Sequence, residues 1–431
     1  MCLTDSLVWR QRWEALAQIL TTLSTHYEEA SLQDPWLHTM HALAGCLQAF
    51  AQSQFEFFYT GFSNGKLLPS MVYPEEHVIR ATLDQVAYDT AVIQAAASQR
   101  QIAVHRPVLE KADRLAQLAL DVAVHSGLLA EQCTAVTYFH KSPHIRVIPY
   151  APVALIGIPP TCLTTARDLL AIPHEVGHFV YHHAPGLAAD LHGFIPLDPP
   201  WINHWVEEVF ADVYGCLVAG PVIGLSCQDL IYDNAYPSLV ADDGEHPVDA
   251  IRPFAYSTAL AELNYEQAAP ALTTCWQTRL RVRHNPTNFI PFGANTPVSL
   301  PEALTAVNNA TIRFVNYLEN TRRVQQPGPW SNDAASLSDL YAQFEEWVTT
   351  PPETAVYTLR DLENGKVGLV HNGSAPVSIR RKGRTKTWRD WFKAEAANHD
   401  GPIAWNGWLP IFTSGFWPTK GPDDNSDGGN P

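Results

Sequence analysis

Apolar residues recur at three- and four-residue intervals through the first quarter of the chain. Leu7, Trp13, Leu16, Ile19, Leu20 and Leu23 form one stripe, and Leu37, Leu43, Leu47 and Phe50 form another, the spacing of one face of an α-helix. The stretches Glu75–Gln101 and Val108–Leu129 carry the same period, so residues 1–130 are expected to be a helical block. After Cys133 the period changes. Thr134–Phe139 and Ala151–Ile158 are rich in β-branched and aromatic residues, which predicts two strands. The second of them is either an edge strand, able to pair with an extended peptide, or an ordinary core strand.

A helical pattern returns from Thr164 to His183, and a Pro- and Gly-rich loop follows from Pro185 to Pro200. A second helix is expected from Trp201 to Ala219, with further helical signals at Asp249–Leu263, Glu302–Arg323 and Ser336–Thr349. The pattern as a whole is α+β and mostly helical, with a small sheet ahead of the helix Thr164–His183. It divides into the helical block 1–130, a second domain 131–350, an aromatic-rich β/irregular region 351–419 and a tail 420–431. The tail is polar, acidic and Gly-rich, a composition that favours disorder.

Composition narrows the function classes. With 431 residues, 46% of them hydrophobic, the chain can bury a large core. The formal net charge of −16 sets the surface against nucleic acid and anionic membrane as partners. The basic run Arg380–Lys386 reads as a solvated loop or hairpin. Seven cysteines are scattered without a CxxC pair, which predicts reduced thiols rather than a disulfide framework. The first residues lack a basic segment followed by an apolar run, and no stretch of eighteen uncharged apolar residues occurs. The expected location is therefore cytoplasmic, and the triplets at Asn309 and Asn372 carry no weight as glycosylation sites.

The chemistry is concentrated in His174-Glu175-Val176-Gly177-His178. Two imidazoles four positions apart lie on one helix face, which suits two nitrogen ligands of a tetrahedral zinc ion. Glu175 between them can act as general base on a water activated by the metal. Glu208, on the next helix, can supply a third ligand and leave one position open, as a catalytic zinc site requires. The inner residues Val176 and Gly177 are uncharged, and Phe179 and Val180 continue an apolar face. A buried His pair with a Glu needs a partner such as a metal, because unpaired polar groups in a core cost several kcal/mol. Pro173 fits a continuous helix badly: either the helix kinks there or the metal helix begins there with Pro173 in its first turn.

With Glu208-Val209-Phe210-Ala211-Asp212 thirty positions after His178, the segment 174–212 resembles the gluzincin class of zinc metallopeptidases, which carry HExxH on one helix and ExxxD on the next. The resemblance implies a zincin-like metallopeptidase domain. It makes His174, His178 and Glu208 the zinc ligands, Glu175 the catalytic base and Asp212 the carboxylate that orients a ligand histidine. The metzincin pattern wants Gly and His where this chain has Tyr181 and Ala184, and it fails. Glu207 has Ala211 rather than a carboxylate four residues on; His204, His182, His183 and His192 are further imidazoles nearby. Related zincins place a His or Tyr beyond the Glu helix to stabilise the oxyanion, which makes His246 the first candidate here and Tyr256 the second. Asp-Gly-x-His-Pro around His246 is also a good turn sequence.

The expected activity is hydrolysis of a protein or peptide substrate by a zinc peptidase. A different reading is a zincin-like scaffold that binds a partner without cleaving it. A third is a narrowly specific, regulator-processing protease restrained by its flanking regions, for which seven Trp between Trp330 and Trp417 offer packing surface.

Overall fold

The computed structural model describes residues 6–31, 36–69, 71, 73–129, 133–146, 148, 150–196, 199–327, 337–349 and 403–404. The chain divides into two compact units: residues 1–98 with 146–152 and 358–431, and residues 99–145 with 153–357. The expectations for 351–419, apart from Ile403–Ala404, and for 420–431 lie outside the described residues. So does the basic run at 380–386.

The first unit is built on α1 (Ser6–Ser31), α2 (Leu37–Ser63) and most of α3 (Glu75–Arg100). The pairs Arg10–Glu56, Thr21–Gln48 and Ser24–His41 run in opposite order along the two helices, so α1 and α2 are antiparallel. Trp13 stacks on Phe55 in their interface at 5.3 Å. A short strand β1 (Leu67–Leu68) pairs in parallel with β7 (Ile403–Ala404). Buried in this unit, Asp89 accepts from Arg146, Tyr150 and Gln85.

In the second unit α4 (Arg106–His125) packs on β2 (Thr134–Phe139) and on α5 (Ile172–His183). The helical pattern that runs through residue 130 therefore serves two cores, its last helix belonging with the strands that follow it. A three-stranded sheet has the order β2, β4 (Val153–Ile158), β3 (His144–Arg146). β2 and β4 are parallel, Thr134 opposite Val153 through Phe139 opposite Ile158. β4 is fully buried and has a neighbour on each side, so the strand ahead of α5 is a core strand and not a free edge. A buried strand with no polar alternation is what its sequence, Val-Ala-Leu-Ile-Gly-Ile, encodes.

The remaining helices are α6 (Leu187–Gly193), α7 (Val206–Ala219), α8 (Pro221–Tyr232), α9 (Arg252–Glu262), α10 (Ala268–Val282), α11 (Leu300–Asn316) and α12 (Leu337–Thr349). A short antiparallel pair joins β5 (Asn288–Phe289) to β6 (Val298–Ser299). α7 is central: every residue in it except Glu207 is buried, and it packs on α5, α8, α9 and α11. Two elements, α8 and α10, are not signalled by periodicity. α8 is apolar on several faces, and both carry an early proline, which suits the first turn of a helix as well as it suits a loop. No helix among the described residues is long and apolar enough to cross a membrane.

Candidate metal centre

The metal helix α5 begins at Ile172, with Pro173 in its first turn after a 3-10 segment Ala166–Ala171. Proline is well placed there because its missing N–H would have had no helical acceptor. The helix expected from Thr164 thus breaks just ahead of His174 and His178, and their four-residue spacing is intact. α7 likewise starts after a 3-10 segment, Pro200–Trp205.

Gly177 sets how closely α5 and α7 approach. A Cβ added there would lie 2.8 Å from Ala211 Cα, so a side chain would push the helices apart. With only hydrogen at that crossing, His174 and His178 meet Glu208 and Asp212. His174 Nε2 and His178 Nε2 are 3.2 Å apart. His178 Nε2 is 3.3 Å from Glu208 Oε1, and His174 Nε2 is 3.4 Å from Glu208 Oε2. These three residues form a group whose ligand atoms are close enough to hold a metal ion.

Their orientation is fixed from behind. His178 Nδ1 donates to Glu207 Oε1 at 2.8 Å, and His182 Nε2 donates to the same oxygen at 2.8 Å. Burial opposes charge on Glu207, but the bonds from His178 and His182 outweigh it and hold the carboxyl at about 2. An ionised carboxylate can only accept, so the His178 proton sits on Nδ1 and the Nε2 lone pair faces the cluster. His174 Nδ1 is 2.9 Å from Asp212 Oδ1 in an ion-pair contact that lies off the line of a hydrogen bond. Asp212 is fully buried, and Tyr256 donates to its Oδ1 at 2.6 Å.

Arg252 completes the wall. Its Nε donates to Asp212 Oδ2 at 2.9 Å, and its Nη2 donates to Asp212 Oδ1 at 2.8 Å and Glu208 Oε2 at 2.9 Å. Burial works against ionised Glu208, yet His178 and Arg252 hold its carboxyl well below the usual range. Burial also disfavours a charged His174, but Asp212 and Glu208 outweigh it and lift the imidazole to about 10. Two ring nitrogens that face each other at 3.2 Å need a hydrogen or a metal between them, because two lone pairs repel. That is the observation by which the donor set fits a metal.

Glu175 is buried beside the cluster, and no hydrogen bond among the described residues holds it. Burial raises its carboxyl above the ordinary value. His246 donates Nδ1–H to Asp243 Oδ2 at 2.7 Å and turns Nε2 toward Glu208 Oε1 at 3.3 Å. Its loop is built around Gly244, whose φ of +83° suits glycine and whose added Cβ would strike the Phe292 ring at 2.7 Å. Asp242 ties the loop to Trp205 and to the Phe292 N–H.

Of the residues singled out in the sequence, His174, Glu175, His178, Glu208, Asp212 and His246 come together. Tyr256 stands behind Asp212, with its hydroxyl committed there rather than beside His246. His204 is exposed on the 3-10 segment, His183 bonds the Phe179 carbonyl, and His192 pairs with Tyr181. Glu207 and Arg252 were not legible as site residues. The signal for Glu207 was His182, four positions after His178 and so on the same face of α5. Comparison with protein-family models, with curated proteins and with solved structures finds no match.

Proposed function

We propose that this chain is a zinc-dependent peptidase of the gluzincin kind. The carrying observation is that His174 Nε2 and His178 Nε2 lie 3.2 Å apart, with a Glu208 oxygen 3.4 Å from the first (Oε2) and 3.3 Å from the second (Oε1). Ligand atoms about 2.0–2.1 Å from a tetrahedral zinc are separated by about 3.3–3.4 Å. Two imidazoles and one carboxylate are also the donor set of a zinc site that keeps a position open for chemistry. Zinc bound there would polarise a scissile carbonyl and acidify water.

The chain's own residues do the rest. Glu175, made more basic by burial, takes a proton from the attacking water and hands it to the leaving amine. His246, held by Asp243, donates to the oxygen on which negative charge develops, a contact worth about 3 kcal/mol where comparable donors have been removed. Glu207 keeps His178 in the tautomer that offers Nε2, and Asp212 lies 2.9 Å from His174 Nδ1 on the side away from the cluster.

The test compares Glu175→Gln and His178→Ala with the unmodified chain, reading zinc content and cleavage of an unfolded protein such as casein. Glu175→Gln keeps its zinc and loses about 100- to 10,000-fold in rate, whereas His178→Ala loses both. Undiminished cleavage by Glu175→Gln refutes the mechanism. Zinc without cleavage by the unmodified chain turns the reading to the partner-binding scaffold.

A further inference from the structure

Arg252 is the residue that the metal-site chemistry does not require. A three-ligand zinc site with its carboxylate supports is complete without a guanidinium. Here one is buried in the wall, with its side chain 14% exposed, in contact with both Glu208 and Asp212. It also breaks a local rule. Arg252 is the first residue of α9, and a cation at a helix N-terminus meets the positive end of the helix dipole. A residue kept against that preference has its reason in the partners it reaches.

Those partners carry the same load as the metal. Glu208 and Asp212 are two carboxylates four positions apart on a helix buried on nearly every side. Without a positive charge beside them they would repel each other and resist burial. Arg252 clamps both carboxylate oxygens of Asp212 and one oxygen of Glu208. It reaches within 3.4 Å of His174 Nε2 as well. A guanidinium has the planar fork that such a bidentate contact needs, which an ammonium lacks.

We propose that Arg252 is a built-in counter-ion that keeps the ligand carboxylates in place before metal arrives, so that the chain folds to the same site with or without zinc. Metal then enters a formed site and exchanges with its surroundings without unfolding the protein. This differs from small zinc domains, whose ligands assemble only around the ion. Arg252 is a positioning residue here, acting on Glu208 and through Asp212 on His174. The inference rests on the metal-centre reading and on no hydrolytic step.

The test is thermal unfolding of the full chain with saturating zinc and with a chelator, for the unmodified chain and Arg252→Gln. The unmodified chain melts cooperatively in both conditions, with midpoints about 10 °C apart or less. In Arg252→Gln the chelated form falls further than the loaded form, and the gap at least doubles. The proposal is overturned if the unmodified chain loses its cooperative transition on chelation, or if the gap in Arg252→Gln is unchanged or smaller. If Arg252→Gln does not fold in either condition, Arg252→Gln/Asp212→Asn removes both halves of the buried pair. Recovery of folding in the double variant supports the counter-ion role; failure to recover assigns Arg252 to packing and overturns it. Zinc titration by calorimetry separates the two claims: absence of binding to the unmodified chain sinks the metal-centre reading, while the chelated midpoints still report on Arg252.

Discussion

The two units bury the same three-residue assembly and use it differently. In the first, Asp89 accepts from Arg146 Nε at 2.9 Å and from the Tyr150 hydroxyl at 3.1 Å. In the second, Asp212 accepts from Arg252 Nε at 2.9 Å and from the Tyr256 hydroxyl at 2.6 Å. Around Asp89 one carboxylate meets one guanidinium, and burial still raises its carboxyl above the ordinary value. Asp212 is as deeply buried, yet Arg252 and His174 outweigh burial and hold it below. The difference is surplus charge. Arg252 faces Glu208 as well as Asp212, so it leaves one negative charge for a proton on His174 or a metal to answer, where two imidazole nitrogens converge. A balanced pair holds a core together; an unbalanced one calls for a cation.

That contrast can be broken first at its balanced end. Both side chains of the Arg146–Asp89 pair are nearly inaccessible, and removing one partner of such a pair costs about 3–5 kcal/mol. Arg146→Met should lower denaturant stability by that amount equally with zinc and with a chelator. A loss that zinc repairs would mean the two assemblies are not distinct in kind. At the unbalanced end, Glu207→Gln keeps the shape of the side chain but weakens the acceptor that orients His178. Loss of such an outer carboxylate typically weakens metal binding about 10- to 100-fold, to be read by competition with a chromogenic chelator. An unaltered affinity would remove Glu207 from the site.

The smallest effect concerns pH. His174 is raised from 6.5 to about 10 once its carboxylates outweigh burial. In the metal-free protein its charge therefore contributes stability that is complete below about 6.5 and is lost as pH rises through about 10. Zinc must expel that proton, so binding tightens with rising pH in this window, by about tenfold per unit for one proton. Calorimetry in two buffers of different ionisation enthalpy should find about one proton released per zinc at pH 7.5. Release of none would show that His174 is already neutral.

The candidate ligands were legible in the sequence because helical spacing places His174 beside His178 and Glu208 beside Asp212, and the resemblance of 174–212 to the gluzincin pattern joined the two pairs. Pro173 was legible only as a choice between kink and start, which packing decided in favour of a start at Ile172. What sequence could not supply were contacts between distant segments. Arg252 lies 40 residues beyond Asp212 and reaches it only because α9 packs on α7. Glu207 turns toward His178 and His182 only because the α5–α7 crossing at Gly177 is tight. The neighbours of β4 were open for a like reason: a fully apolar strand says that it is buried, not which strands flank it.

The most direct test of the surplus-charge reading is to locate zinc in crystals of the zinc-loaded protein by anomalous scattering at the zinc edge. The expected result is one strong peak per chain, about 2.0–2.2 Å from His174 Nε2, His178 Nε2 and a Glu208 oxygen, with Arg252 still on Asp212. No peak there, or a peak bound by other residues, would contradict it.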